Sequence, residues 1–304
     1  MNKMKFEEFT NAVVEKIREY LPESFKNASV ELQTVTKNNG LILTGLTIRS
    51  AESNICPTIY LESFFENYQS GQDMKQILES IADVRLRNEV AETFDIGQIT
   101  DFDRVSDRIV PRLVGCKWNK EMLDTRPHTV ISDLAVTYHI FLAESFDSTA
   151  SVPITNALME SWGVDVKTLH ELALKNMPVL LPSTFQPMSA VLGAMLGDDE
   201  AQMLLPAMDP DDEVMYILSN DKKVFGAAAL LDQKIMQKVA EKFKEFFIIP
   251  SSVHETIIVP ATPDMDVVTL SAMVVDVNGS QVAPEERLSD HVYRYTLKDG
   301  LLPA

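Results

Sequence analysis

Only two cysteines, Cys56 and Cys116, occur in 304 residues. One bridge is arithmetically open, but neither residue belongs to a CxxC pair. A structural zinc site has no support, and two unpaired, buried thiols in a reducing compartment are expected. Long apolar runs are missing as well. The longest, such as VFGAAALL, fall far short of the ~20 residues that cross a bilayer, so no membrane is expected as a partner. The opening MNKMKFEEFTNAVVEKI puts acids where a signal peptide needs an unbroken apolar stretch, and the expected location is the cytoplasm. Basic residues are scarce: 27 Lys and Arg face 45 Asp and Glu, for a net charge of −18. That field repels phosphate backbones, so direct nucleic-acid binding is not expected. It serves solubility, and an acidic surface can also imitate DNA toward a basic protein partner. Nucleotide motifs are absent too. Neither GxGxxG nor GxxxxGK followed by Ser or Thr appears, Gly193 and Gly197 lie in an acidic stretch, and no cofactor is expected.

What is present is an ordinary globular balance, 45% hydrophobic and 24% charged, enough to bury a sizeable core. The length suggests two domains on a prior of ~150 residues each. Phe6, Phe9, Val13, Val14, Ile17 and Tyr20 recur at helical spacing, and Pro22 ends that helix. Alternating residues on both sides of Asn38-Asn39-Gly40 predict a β-hairpin, because the tripeptide tolerates the positive φ of a tight turn. A short strand at 57–61, a helix closed by Gly71 and a longer helix capped by Asp73 complete an α-β-β-β-α-α unit. TDFDRVSDRIV looks helical and PRLVGC extended, and Arg126-Pro127 breaks the pattern. The boundary is therefore placed between an N-terminal α+β unit, 1–125, and a C-terminal α+β domain, 126–304.

In the second part VISDLAVTYHIFLAE reads as one strand. Two helices follow, the first ending at Gly163 and the second capped by Asp165. VMYILSND and KKVFGAAALL read as strands paired through Asn220-Asp221, and Asp232 caps the next helix. FFIIP and ETIIVPA read as two more strands, and Pro263-Asp264 opens a last helix. The fold class expected is α+β, with an antiparallel sheet and helices packed on one face. The stretch 193–213, with seven acids, reads as a mobile loop, and no internal repeat is evident.

Several of these segments carry a resemblance. SND, VFGAAALL and IIPSSVHETIIVP, with VNGSQVAPEERLSDHVYRY at the end, resemble an uncharacterised bacterial family known only as a domain of unknown function. The early NNGLILTGLTIRSAESNICPTIYLESFFENYQSG and the WNKEMLDTRPH and SDLAVTYHI segments are similar to it too, so the likeness spans nearly the whole chain. The C-terminal part is also similar to a second uncharacterised family with a proline-serine-histidine-glutamate segment. Members of the first are often met in accessory or mobile bacterial DNA. Neither resemblance implies a catalytic residue.

Chemistry has few places to reside. Ser252 and His254 share a face of an extended segment, while Glu255 points to the other, so the acid of a triad would have to be Asp133 or Asp221. No GxSxG elbow exposes a serine. The bland reading of the same residues is a capping box, with Ser252 accepting from the N–H three residues on and Glu255 returning the bond. Asn220, Phe225, Gly226, Ser251 and Glu255 are the candidate ligand-binding residues around that segment. Metal ligands do not assemble: His254-Glu255 lacks a zincin's second histidine, and His128, His139, His170 and His291 are scattered. Asp209, Asp211, Asp212 and Glu213 lack EF-hand spacing. Trp118 and Trp162 read as packing residues. The function expected is a non-catalytic accessory protein acting by macromolecular binding, with protein as the partner. The alternative is a small-molecule hydrolase or ligand-binding protein with a pocket near Ser252, His254 and Asn220. The sequence does not address oligomeric state.

Overall fold

Asn38-Asn39-Gly40 turns the chain as its composition requires. Asn39 and Gly40 lie at φ 62° and 70°, the left-handed region that asparagine and glycine tolerate best. The structure, a computed structural model, describes residues 3–50, 56–88, 97–145, 148–196, 213–263 and 265–304. The turn joins β1 (Ser29–Thr36) to β2 (Ile42–Arg49) in antiparallel register, from Thr36 opposite Ile42 to Ser29 opposite Arg49. Strand β3 (Thr58–Tyr60) pairs with β2 on its other edge.

Helices α1 (Phe6–Lys16), α2 (Glu62–Ser70) and α3 (Met74–Arg87) complete this unit in the order expected. Gly71 closes α2 at φ 116°. Asp73 Oδ1 accepts from Gln76 N–H at 2.8 Å and Gln76 Oε1 accepts from Asp73 N–H at 3.2 Å, which supplies two acceptors to the open N–H groups that begin α3. Phe9, Val13, Ile17, Leu46, Ile48, Leu61, Ile77 and Ile81 are sealed from solvent in one cluster.

The chain separates into two compact units, Met1–Lys37 with Leu41–Ile96, and Gly97–Ala304 with Asn38–Gly40. The division comes earlier than the expected 125–126. Its cause is β4 (Ile109–Gly115), every residue of which pairs with β6 (Leu134–Ser145), so a stretch that reads as the tail of the first unit is a strand of the second. Ahead of it TDFDRVSDRIV is not one helix. After α4 (Gly97–Thr100) it makes the single turns of α5 (Phe102–Val105) and Ser106–Arg108, then enters β4.

VISDLAVTYHIFLAE is likewise a hairpin rather than one strand. Strand β5 (His128–Ile131) turns back at Ser132, φ 58°, and Asp133 to pair with β6. Strand β7 (Ser148–Pro153), too rich in Ser and Thr to stand out in the sequence, pairs with β6 beyond β5. A second sheet of six antiparallel strands runs β13-β12-β10-β11-β9-β8. Its members are β8 (Ser183–Pro187), β9 (Tyr216–Asn220), β10 (Glu245–Ile249), β11 (Thr256–Pro260), β12 (Tyr293–Thr296) and β13 (Gly300–Pro303).

Helices α6 (Lys120–Asp124), α7 (Asn156–Trp162), α8 (Val166–Leu180), α9 (Met188–Leu196), α10 (Gln233–Phe243) and α11 (Val267–Ser280) connect these strands. Asp165 and Asp232 cap α8 and α10 as expected, and Gly163 ends α7 at φ 68°. The last helix takes Asp266, not Asp264, as its cap; Asp264 lies outside the described residues. Residues 193–196 of the expected mobile loop belong to α9, and 197–212 lie outside the described residues.

The architecture is α+β with antiparallel sheets. Both sheets of the second unit give side chains to one core: Leu113, Val136 and Ile140 from the first, Leu218, Phe246, Ile248 and Ile258 from the second. Leu169 of α8 and Val239 of α10 close it. Cys56 and Cys116 are unbonded and half-buried. Among the described residues no helix is long and apolar enough to cross a membrane.

Candidate functional site

Pro250 ends β10, and the five residues before β11 fold into a compact bend. Ser252 Oγ accepts from His254 N–H at 3.0 Å, Ser252 N–H donates to the Glu255 carbonyl at 3.1 Å, and Ser251 N–H donates to the Ile249 carbonyl at 2.9 Å. The capping box expected from Ser252 and Glu255 is not made. The chain goes straight into β11 at Thr256, so no helical turn brings the N–H three residues on back to Ser252. The serine closes a two-residue turn instead.

A second loop interlocks with this bend. KKVFGAAALL is not the strand expected from its apolar run. Lys223 and Phe225 adopt φ 54° and 53°, and Gly226–Leu231 coils into a 3₁₀ helix. Buried Asn220 shapes the approach: its Oδ1 accepts from Lys222 N–H at 3.1 Å and its Nδ2 donates to the Val224 carbonyl at 2.9 Å. Three bonds then join the loops. Ser219 Oγ donates to the His254 carbonyl at 2.8 Å, Phe225 N–H to His254 Nδ1 at 3.2 Å, and Ala227 N–H to the Val253 carbonyl at 3.2 Å. Gly226 permits the approach, because a Cβ there would overlap Ser219 Oγ and come within 2.5 Å of the His254 carbonyl oxygen.

The structure therefore brings Asn220, Phe225, Gly226, Ser252 and His254 together, and it also decides what His254 can do. Nδ1 accepts a backbone N–H, so in the neutral ring the proton sits on Nε2, 3.7 Å from Glu286 Oε1. Ser252 Oγ bonds the histidine's backbone, not its ring. The serine-to-imidazole bond that nucleophilic activation starts from is not formed. Asp221 lies in the turn after β9 with its carboxylate 3.6 Å from Lys222 Nζ.

Asp133 works elsewhere. It accepts from Tyr293 Oη at 2.7 Å, from Ser289 Oγ at 2.9 Å and from His291 Nδ1 at 2.9 Å, tying the β5–β6 turn to the segment entering β12. Burial pushes its carboxyl up, but the three donors outweigh burial and hold it below the ordinary carboxylate range. Cys116 lies close by, and burial together with the Asp133 charge pushes its thiol up, away from the reactive thiolate. Glu213 accepts from Ser189, while Asp209, Asp211 and Asp212 lie outside the described residues. A cavity of about 340 Å³ is lined by Glu213, Tyr216, Lys242, Phe243 and Val259, and none of the candidate catalytic or ligand-binding residues borders it.

The residues that sequence reasoning did not single out are Arg112, Arg126 and His139. Register places Arg112 opposite Thr137 and Val110 opposite His139, so Arg112, Thr137 and His139 share one face of the β4–β6 pair. Val110 and Phe141 pack in an apolar cluster at one end of this face, Val114 and Ala135 in another at the other end, and the polar belt lies between.

Arg112 stacks on Phe225, its guanidinium carbon 3.4 Å from the ring centroid, and its Nη2 donates to Ser151 Oγ at 2.5 Å. Burial, reinforced by the Arg126 charge, lowers it to about 9. His139 is 5% exposed, and its Nδ1 has no hydrogen-bond partner. Burial first, then Arg112 and Arg126, hold it well below the ordinary histidine value, so the ring is neutral. No carboxylate pairs with any of the three among the described residues. An orphaned buried polar atom such as His139 Nδ1 costs about 1–3 kcal/mol.

A model of a family of unknown function (DUF5688) matches residues 6–296. No curated protein and no solved structure is significantly similar to the chain.

Three outcomes test this geometry. Gly226→Ala destabilises the protein by about 3 kcal/mol, because two backbone atoms, His254 O and Asn220 N, block the methyl group together with Ser219 Oγ; urea unfolding measures it. Arg112→Met leaves the ligand-free protein as stable or more stable by about 1 kcal/mol, since it removes a charge with no partner and keeps a contact to Phe225; a lower Tm would show Arg112 to be a structural strut. Asp133→Asn destabilises at neutral pH. A depressed carboxylate contributes stability above its unfolded value and loses it as pH falls through the folded one, so the gap to wild type closes below about pH 4. A gap that persists at pH 2 would assign the effect to packing.

Proposed function

We propose that this chain, which belongs to the DUF5688 family, is a binding protein whose C-terminal unit takes a small ligand without hydrolysing it. One observation carries the reading: Arg112 is half-buried and stacked on Phe225, with no carboxylate partner among the described residues. Ligand sites are mostly apolar concavities with a few convergent polar groups, and such groups are left unmatched until the ligand arrives. The interlocked loops supply rigidity. Ser252, His254 and Asn220, the residues a hydrolase would recruit, are engaged in holding Phe225 in place. They act as scaffold, and the loop they hold presents an aromatic face.

A second reading is favoured by α11. This helix is apolar on nearly every side, and Val268, Met273 and Val275 are each more than half exposed. A helix of that composition is normally covered. The net charge of −18 points to a basic protein as what covers it.

A thermal-shift screen of the full chain against small molecules separates these readings from hydrolysis. Ligand binding is expected to raise the Tm of wild type and of Ser252→Ala alike, and to be lost in Phe225→Ala. Ester or amide turnover abolished by Ser252→Ala would restore the hydrolase. Failure of every small molecule to shift Tm would leave the protein-binding reading.

A further inference from the structure

We propose that the cavity bordered by β9, α10 and β11 is a second ligand site, built for a small monocarboxylic acid with an aromatic or branched apolar body. It shares no residue with the Phe225 loops, so it goes beyond the Arg112–Phe225 reading and does not depend on it. Its volume, about 340 Å³, lies at the lower end of the ~300–1,000 Å³ usual for small-molecule pockets. Phe243, Val259, Pro260 and Met265 give it an apolar lining, and the exposed Lys242 and Thr262 stand where it meets solvent.

Two donors converge on this space. Lys242 Nζ donates to Tyr216 Oη at 3.0 Å, and both side chains line the cavity. The phenol oxygen accepts from the ammonium, so its own hydrogen is left to donate. No acceptor for that hydrogen lies within reach among the described residues. The ammonium keeps two further hydrogens and has no carboxylate partner among the described residues. A carboxylate set beside the pair takes the O–H on one oxygen and an N–H on the other, and both bonds are charge-assisted.

The donors are in place before a ligand arrives. Phe185 stacks on Tyr216 with ring centroids 4.9 Å apart, and Phe243 packs against the same ring at 5.1 Å. The ammonium lies 4.4 Å from the Tyr216 centroid and 5.0 Å from that of Phe243, and both ring faces attract it. Glu213 is the acid among the described lining residues, and its oxygens are already engaged. Oε2 accepts from Ser189 N–H at 3.3 Å and from Ser189 Oγ, and Oε1 accepts from Met215 N–H at 3.4 Å. Ser189 lies in the first turn of α9, whose open N–H groups offset the charge. Lys242 is thus the unmatched charge of the lining, and it favours an anion over a neutral or cationic molecule of the same shape.

Isothermal titration of the full chain with phenylacetate, phenylethanol and phenethylamine, at ionic strength held constant with sodium chloride, tests the assignment. The three share one apolar body and differ in charge. Saturable binding of phenylacetate is expected, about tenfold or more tighter than that of the alcohol or the amine. It should weaken about tenfold or more in Lys242→Met, which keeps the aliphatic stem, and about threefold or more in Tyr216→Phe, which keeps the ring. Lys234→Met removes an exposed charge from the same helix at a position that does not border the cavity, and it should bind as wild type does. So should Phe225→Ala. Near-ultraviolet circular dichroism confirms that each variant is folded.

Affinity for the alcohol or the amine as high as for phenylacetate overturns the site. So does equal binding by Lys242→Met and wild type, or no saturable binding of phenylacetate. Binding that survives Lys242→Met and is lost in Phe225→Ala moves the ligand to the Phe225 loops, which removes this site and supports the other. Binding lost in Lys242→Met and kept in Phe225→Ala supports this site, whatever becomes of the other.

Discussion

The bond from Phe225 N–H to His254 Nδ1 is the constraint on which the rest of the C-terminal unit's chemistry depends. It holds Phe225 in a left-handed conformation that an aromatic residue rarely adopts unaided. The bonds from Ser219 and Ala227 on either side tie the two loops together around that conformation. Gly226 lets the backbones approach closely enough for all three bonds to form at once. Their joint result is one ring laid against Arg112. A histidine that looks catalytic in isolation is thus the acceptor that aims a neighbouring side chain.

The second element is a sheet face with a polar belt between apolar ends. Strand β6 faces a core on both sides, so Thr137 and His139 are buried whatever they do. Pairing sets them beside Arg112, and no carboxylate among the described residues pairs with Arg112 or His139. Evolution toward stability alone would replace such residues with valine or leucine, since burying unmatched polarity is unfavourable. Their presence here is a cost borne in the free protein, in the way ligand sites bear it.

Much of the fold was legible because it is written locally. Asn38-Asn39-Gly40, Asp73, Asp165, Asp232, Gly71 and Gly163 each fix a turn or a helix end through their own backbone preferences, and each does so here. Errors arose where tertiary pairing decides. VISDLAVTYHIFLAE has an unremarkable Ser-Asp where the chain reverses, and only the partner strand reveals the hairpin. KKVFGAAALL has the composition of a strand, but Gly226 and the small residues after it are needed for close approach in a 3₁₀ helix. The Ser252 segment was legible as a marker of importance and misleading as to role. Arg112 and His139 carry no motif, because the pairing of two strands brings them to one face. The one available signal was Thr137 and His139 at alternate positions in the otherwise apolar or aromatic run 134–143.

The outermost strands of the six-stranded sheet, β8 and β13, each finish in a proline, Pro187 and Pro303. A strand from another copy that tried to extend the sheet would meet, at both borders, a backbone nitrogen with no hydrogen to give. Mutual repulsion between highly negative copies adds to that obstacle. The sheet therefore has a built-in stop at each margin, and this protects a long antiparallel surface from growing into a fibre.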